Sequence, residues 1–312
     1  MRVVFMGTPE FAVPCLDTLL KEGHQVLGVV TQPDRPKGRG QQMAFSPVKV
    51  AALAAGLPVL QPVKVREPQF LAQLQDLAPD VIVVVAFGQV LPGEILDLPP
   101  FGCINVHASL LPKYRGAAPI HWSVINGEKV TGITTMYMDR GLDTGDMLLK
   151  AELEIRPEDS VGIIHDKLSC IGAQLLADTL RGLSEGKLAR IPQNHNEFTY
   201  APMLKRQDEC IDWSIDGEKV VNQIRGMNPW PGAYTTHKTK IIKVWQAQSV
   251  SSQNHHLQAG QVVEVDKNKG FIVQTGQGQV LVQEVQPQGG KRMAAAAFAR
   301  GYGITPGDLL GE

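Results

Sequence analysis

Cysteine is scarce and scattered in this sequence. The four present, Cys15, Cys103, Cys170 and Cys210, include no CxxC pair. That excludes a zinc ribbon and a dithiol redox motif, and each thiol is expected to be a small buried hydrophobe. Net charge is missing too: 30 Lys and Arg stand against 31 Asp and Glu, a formal charge of -1. A nucleic-acid partner would therefore need a local basic patch. No apolar run is long enough to span a bilayer, and the opening residues lack a basic segment, an apolar stretch and a cleavage site. A cytoplasmic protein with no membrane contact is expected. Also absent are an internal repeat, a GxSxG elbow, histidines at helical metal-pair spacing and a GxGxxG turn. Those gaps argue against a serine hydrolase, a metal site and an NAD-type dinucleotide.

With 312 residues, 43% hydrophobic and 20% charged, the chain has room for two soluble domains. Residues 2–6 are a short apolar run, 10–21 have helical apolar spacing that stops at Gly23, and 25–31 are a second strand. This βαβ opening predicts a parallel sheet. Residues 80–87, DVIVVVAF, read as a strand covered on both faces. Helices are expected over 47–55, 67–77, 119–126 and 160–183, with Ser160 as an N-cap, and strands over 103–107, 131–138 and 147–155. Residues 32–46 are expected to form a long loop carrying Arg35, Lys37 and Arg39 against one acid, Asp34. Residues 189–205, rich in polar residues, read as a connector. A short strand is expected over 211–213, then β segments over 240–247, 260–265, 270–274 and 279–285, and a helix over 293–300. The fold class is thus α/β: a Rossmann-like, mostly parallel sheet domain over 1–188, a linker over 189–205, and a smaller OB-like β-barrel domain over 206–312.

The stretch CINVHASLLP, residues 103–112, carries the chemistry. Asn105 and His107 are two apart, so on a strand they share a face. A lone histidine is more often structural. This one ends a strand, stands beside an amide and precedes a loop stiffened by Pro and Gly. Two such donors can stabilise an oxyanion forming at a carbonyl. Asp139, Asp143 and Asp146 follow in the Gly-rich DRGLDTGD. A turn aspartate is commonly only a hydrogen-bonded one, and composition does not choose among the three. An Asp beside the His would orient its ring. The group reads as machinery for acyl or one-carbon transfer in which the substrate brings the nucleophile. The basic loop is either solvated or a phosphate-contact arm.

Residues 105–112, then Arg115-Gly116 and Pro119, then Asp139, Gly141 and Asp143 resemble the folate-dependent formyltransferases. The resemblance implies a catalytic trio of Asn105, His107 and Asp143. It implies that Ser109, Leu110, Leu111 and Pro112 line a formyl-folate site, and that Phe87, Gly88, Gln89, Leu91 and Asp139 lie in segments that hold the pterin ring. FMGTPEFA at 5–12, PDRPKGRG at 33–40 and NPWPGA at 228–233 are similar to the members of that family with an appended β-barrel. Those members act on methionyl initiator tRNA. The implied reaction moves the formyl group of 10-formyltetrahydrofolate to the α-amino group of the esterified methionine, without a metal. The basic loop would then enter the acceptor arm, with Arg39 foremost and Arg35 and Lys37 beside it. Gln41-Gln42 departs from the family pattern, where lysines are frequent, which implies fewer phosphate contacts. The alternative within the class is a formyltransferase or formyl-folate hydrolase acting on a small amine or water. A monomer is expected.

Overall fold

The βαβ opening is present, with β1 (Arg2–Gly7), α1 (Val13–Lys21) and β2 (Gln25–Val30), and its two strands are parallel. This computed structural model describes residues 1–37, 42–250 and 257–312. Contacts divide the chain into two units. One comprises Met1–Ala117, Thr131–Leu153 and His165–Ala201; the other comprises Ala118–Val130, Glu154–Ile164 and Pro202–Glu312.

The expected long loop pairs with itself. β3 (Arg35–Lys37) and β4 (Gln42–Ala44) form an antiparallel hairpin with Arg35 opposite Ala44. Strands of three residues show no alternation, and Pro36 reads as a breaker, so the pattern conceals the pairing. Arg39 lies outside the described residues, as do Gln41 and the glycines beside Arg39.

Next come α2 (Pro47–Ala54), β5 (Val59–Leu60) and α3 (Pro68–Leu77). Ser46 caps α2 by accepting the Lys49 N–H at 3.0 Å, and Pro47 fills the first helical position. β6 (Val81–Val85), α4 (Gly93–Leu96), β7 (Cys103–His107), α5 (Pro119–Ile125), β8 (Val130–Tyr137), β9 (Met147–Glu154) and α6 (Val161–Ser184) follow. The first unit's sheet runs β5-β2-β1-β6-β7-β8-β9. It is parallel from β5 to β7 and antiparallel at β8. Every residue of β6 is buried, as its unbroken apolar run requires. Strand order reverses beside β1, where the chain returns from β5 to lay β6 on the other side. In an open α/β sheet the crevice beyond the carboxyl ends at such a reversal is the usual ligand site. Being parallel neighbours, β6 and β7 send their following residues to that same edge.

The second unit holds α7 (Gly217–Gly226), β10 (Tyr234–His237), β11 (Lys240–Val250), β12 (Val262–Asp266), β13 (Gly270–Gln274), β14 (Gln279–Pro287), β15 (Met293–Ala294) and α8 (Ala295–Tyr302). Its strands are antiparallel in the order β10-β11-β14-β13-β12, with β15 on β14. An irregular segment, residues 307–311, ties the two edge strands together. Gly311 N–H donates to the Thr236 carbonyl of β10 at 2.9 Å, and Val262 N–H of β12 donates to the Asp308 carbonyl at 2.8 Å. Residues 211–213, expected as a strand, form none. Trp213 instead enters a core with Val220, Ile224, Phe271 and Phe298, and its Nε1 donates to Thr235 Oγ1 at 2.9 Å. α5 belongs to this unit. Gly226 lets α7 approach it, since a Cβ there would strike the Ile125 side chain.

Cys15 and Cys103 are buried, and burial pushes both thiols up to about 12. Cys170 and Cys210 are exposed, so the expectation of an interior place fails for them. Neither sits on an apolar strand of the kind that shelters Cys103. Among the described residues, no helix is long and apolar enough to cross a membrane.

Candidate active site

β7 ends at the functional edge with Asn105 half-buried and His107 buried. Asp143, 38 residues beyond Asn105, folds back onto both. Asn105 Nδ2 donates to Asp143 Oδ1 at 3.4 Å, and His107 Nδ1 lies 3.7 Å from Asp143 Oδ2. The second distance exceeds a formed hydrogen bond, and catalytic contacts are commonly loose before substrate arrives. His107 Nε2 is 3.0 Å from the Tyr114 carbonyl. A carbonyl only accepts, so Nε2 carries a proton and Nδ1 is the nitrogen turned toward Asp143.

The loop of Asp143 shows why this aspartate is set apart. Its backbone is left-handed, φ 53°, a conformation costing about 1 kcal/mol that surrounding contacts must hold. Asp139 supplies part of that hold, since its carboxylate accepts from Gly141 N–H at 3.0 Å and from Thr144 Oγ1 at 2.7 Å. Asp146 pairs with Arg190 at 2.9 Å. Gly145 has no room for a side chain, because a Cβ would run into the Tyr137 carbonyl. Gly116 N–H donates to Asp143 Oδ2 at 2.8 Å, and Gln193 Nε2 donates at 2.8 Å to the carbonyls of both Asp143 and Gly145. Gln193 Oε1 in turn accepts from Arg115 Nε and Nη2 at 3.0 and 2.7 Å.

The loop at 109–112 is bound to the same sheet. Thr134 Oγ1 donates to the Ser109 carbonyl at 2.7 Å and accepts the Leu111 N–H at 3.1 Å. Ser109 Oγ donates to the Lys113 carbonyl at 2.7 Å. Lys150 Nζ donates to the Leu111 carbonyl, and partial burial holds that ammonium below the ordinary lysine range. Leu111 is buried with Met136 and Met147 and joined to Pro112 by a cis peptide, while Leu110 and Pro112 are half-buried.

After β6, the left-handed residues Ala86 and Gly88 flank Phe87, whose ring is buried. The Phe87 carbonyl accepts from Thr8 Oγ1 at 3.0 Å and Gln32 Nε2 at 3.2 Å. Gln89 is tied to the neighbouring loop through Val65 N–H at 3.1 Å, and Leu91 is buried. An exposed Gly88 backbone is therefore left at the strand end beside the trio's edge. A planar, hydrogen-bonding ring suits an edge of that kind.

At the hairpin, Lys49 pairs with Asp34, and Gln61 Nε2 donates to Asp34 Oδ1 at 2.9 Å. The Lys49 and Gln61 hydrogen bonds hold the Asp34 carboxyl below its usual range. The lone acid of the segment is thereby neutralised, and Arg35 is exposed beside it.

Sequence reasoning singles out Asn105 and His107, and the resemblance adds Asp143, but neither finds four residues that hold the trio or the 109–112 loop. Arg115 stands there only as part of a motif, and Gln193, Thr134 and Lys150 do not stand out. Thr134 and Lys150 lie on expected strands, where a polar residue on a sheet next to a loop is the available signal. Gln193 has none. Among the described residues, no group of three or more His, Cys, Asp or Glu could hold a metal ion.

Two family models match the chain, and their boundaries do not coincide with those of the two units. The family model described as formyl transferase matches residues 1–180, and that described as formyl transferase, C-terminal domain, matches residues 203–303. Methionyl-tRNA formyltransferase from Desulforamulus reducens is 53% identical over 311 residues, covering 100% of this chain and 98% of the relative. The protein of that name from Acetivibrio thermocellus is 51% identical over 312 residues, with 100% of each covered. Among solved structures, HypX from Aquifex aeolicus in complex with tetrahydrofolic acid matches with a TM-score of 0.64 at 16% identity, over 96% of this chain and 47% of that one. Methionyl-tRNA formyltransferase from Clostridium thermocellum matches with a TM-score of 0.55 at 16% identity, over 80% and 94%.

Proposed function

This chain belongs to the formyl transferase family, and from that premise we propose that it formylates the α-amino group of methionyl initiator tRNA with 10-formyltetrahydrofolate as donor. Relatives identical at about half of all positions, end to end, carry the name methionyl-tRNA formyltransferase. The observation that carries the site is the convergence of Asn105, His107 and Asp143 at the carboxyl end of β7.

The amine of the esterified methionine attacks the formyl carbon, and negative charge develops on the formyl oxygen. With His107 as the imidazolium, its Nε2–H held by the Tyr114 carbonyl, Asn105 Nδ2 and the Nδ1–H of His107 stabilise that charge. Preorganised donors of this kind act most strongly where water is excluded, and His107 is 6% exposed. Asp143 orients the imidazole from one side while the Tyr114 carbonyl fixes it from the other. Its carboxylate also accepts the proton that the amine loses; as the tetrahedral species collapses, the bond from the formyl carbon to folate N10 breaks and that nitrogen takes up the proton, releasing tetrahydrofolate. The donor lies against residues 109–112 and the stretch of Phe87, Gly88, Gln89 and Leu91, with Asp139 shaping the loop that bears Asp143. Arg35, Lys37 and Arg39 contact the phosphate backbone of the acceptor arm.

Transfer of labelled formyl from formyl-folate tests the reading. Methionyl-tRNA should be the efficient acceptor. Comparable or faster labelling of small amines, or release of formate to water without tRNA labelling, would replace it with the alternative reaction.

A further inference from the structure

We propose that Gln193 and Arg115 are positioning residues that hold Asp143 in its working geometry, an inference that rests on the role assigned to Asp143 above. Arg115 is among the largest fully buried side chains, 2% exposed. A guanidinium removed from water is retained only where strong partners meet it. Here two of its donors go to a neutral amide, the Oε1 of Gln193, and its face lies 5.0 Å from the Phe198 ring centre.

The residue type at 193 follows from that arrangement. One end must accept twice from a cation, and the other must donate to two carbonyls. Glutamine does both. Glutamate cannot donate when ionised, and asparagine is a methylene too short. The charge on Arg115 also polarises the amide, strengthening the two bonds it donates.

Both ends of Asp143 are thereby fixed from one place. Gln193 holds its carbonyl, and Gly116, the residue after Arg115, holds its carboxylate. Arg115 is itself pinned along the backbone: its N–H donates to the Thr199 carbonyl at 2.9 Å, and its carbonyl accepts from Ala201 N–H at 2.7 Å. Without the clamp, the left-handed backbone at Asp143 relaxes and the carboxylate swings off the line to His107.

Gln193→Glu separates positioning from simple support, because it gives Arg115 a carboxylate while removing both donors to the Asp143 loop. Expected is a fall in kcat of about a hundred-fold, the cost of an ångström-scale misplacement, with KM for both substrates within about two-fold and the melting temperature retained. In an Asp143→Asn background, read in single turnover, the same change should cost less than about three-fold, since it acts through a group already disabled. Gln193→Met, uncharged and of similar length, removes the same donors where a buried carboxylate prevents folding; it should show the same fall in kcat, with a lowered melting temperature because Arg115 loses its acceptor. Wild-type kcat in the folded variants, a full additional loss on top of Asp143→Asn, or loss of fold in both Gln193 variants would overturn the proposal. Full turnover by Asp143→Asn alone would instead remove the underlying reading of Asp143, whatever Gln193 does.

Discussion

At the scale of single residues, the site depends on how few choices each side chain has. His107 has two nitrogens, and the Tyr114 carbonyl takes one. Only Nδ1 remains for chemistry, so the ring cannot exchange roles between its nitrogens during turnover. His107→Ala is expected to lower turnover by about two to three orders of magnitude, the typical cost of one oxyanion donor. Binding of methionyl-tRNA, measured by filter retention, should be unchanged. Turnover within a few-fold of normal would leave the histidine a structural role. The three acids of the DRGLDTGD loop are chemically alike, yet their partners divide the labour: one shapes the turn, one faces His107, and one pairs with Arg190.

Elements of the fold divide by how much of their stabilisation is local. β6 and β7 are readable because an unbroken apolar run has few uses other than a doubly covered strand, and the site follows from their shared edge. The β3–β4 hairpin is not readable, because its pairing joins segments that each look like loop. Substituting Arg39→Ala, between those two strands in sequence, should weaken tRNA binding and reduce the slope of log affinity against log salt by about 0.9 for each phosphate no longer neutralised. An unchanged slope would mean the basic segment is only solvated. Gln193 is illegible for a further reason. Its partners Asp143 and Arg115 stand 50 and 78 residues away, and no periodicity records an amide that serves both. The resemblance to a family selects Asp143 but does not reveal what holds it.

At the scale of the whole molecule, the second unit closes through residues 307–311, where His237 Nε2 and Asp308 Oδ2 lie 3.3 Å apart across the junction. Burial raises the Asp308 carboxyl, but the Thr305 N–H bond and the charges of Lys238 and His237 outweigh it and hold it below its usual value. A depressed carboxyl contributes stability above its unfolded pKa, near 4, and loses it as pH falls through the folded value. Asp308→Asn should therefore lower the unfolding midpoint at neutral pH, and the gap from the native protein should shrink in acid below about pH 4. A gap that persists there would place its cause in something other than ionisation. The division of the chain has a separate consequence, for heredity. The backbone passes between the units at 117/118, 130/131, 153/154, 164/165 and 201/202, so no single cut releases the second one. A fragment confined to residues 203–303 leaves behind the Ile125 side chain that fits against Gly226, and also the segment that joins β10 to β12. A crossover that trades only residues 203–303 separates Ile125 from Gly226, so hybrids in which those two positions are matched are expected to be the more stable ones, a difference that melting temperatures of paired hybrids would show.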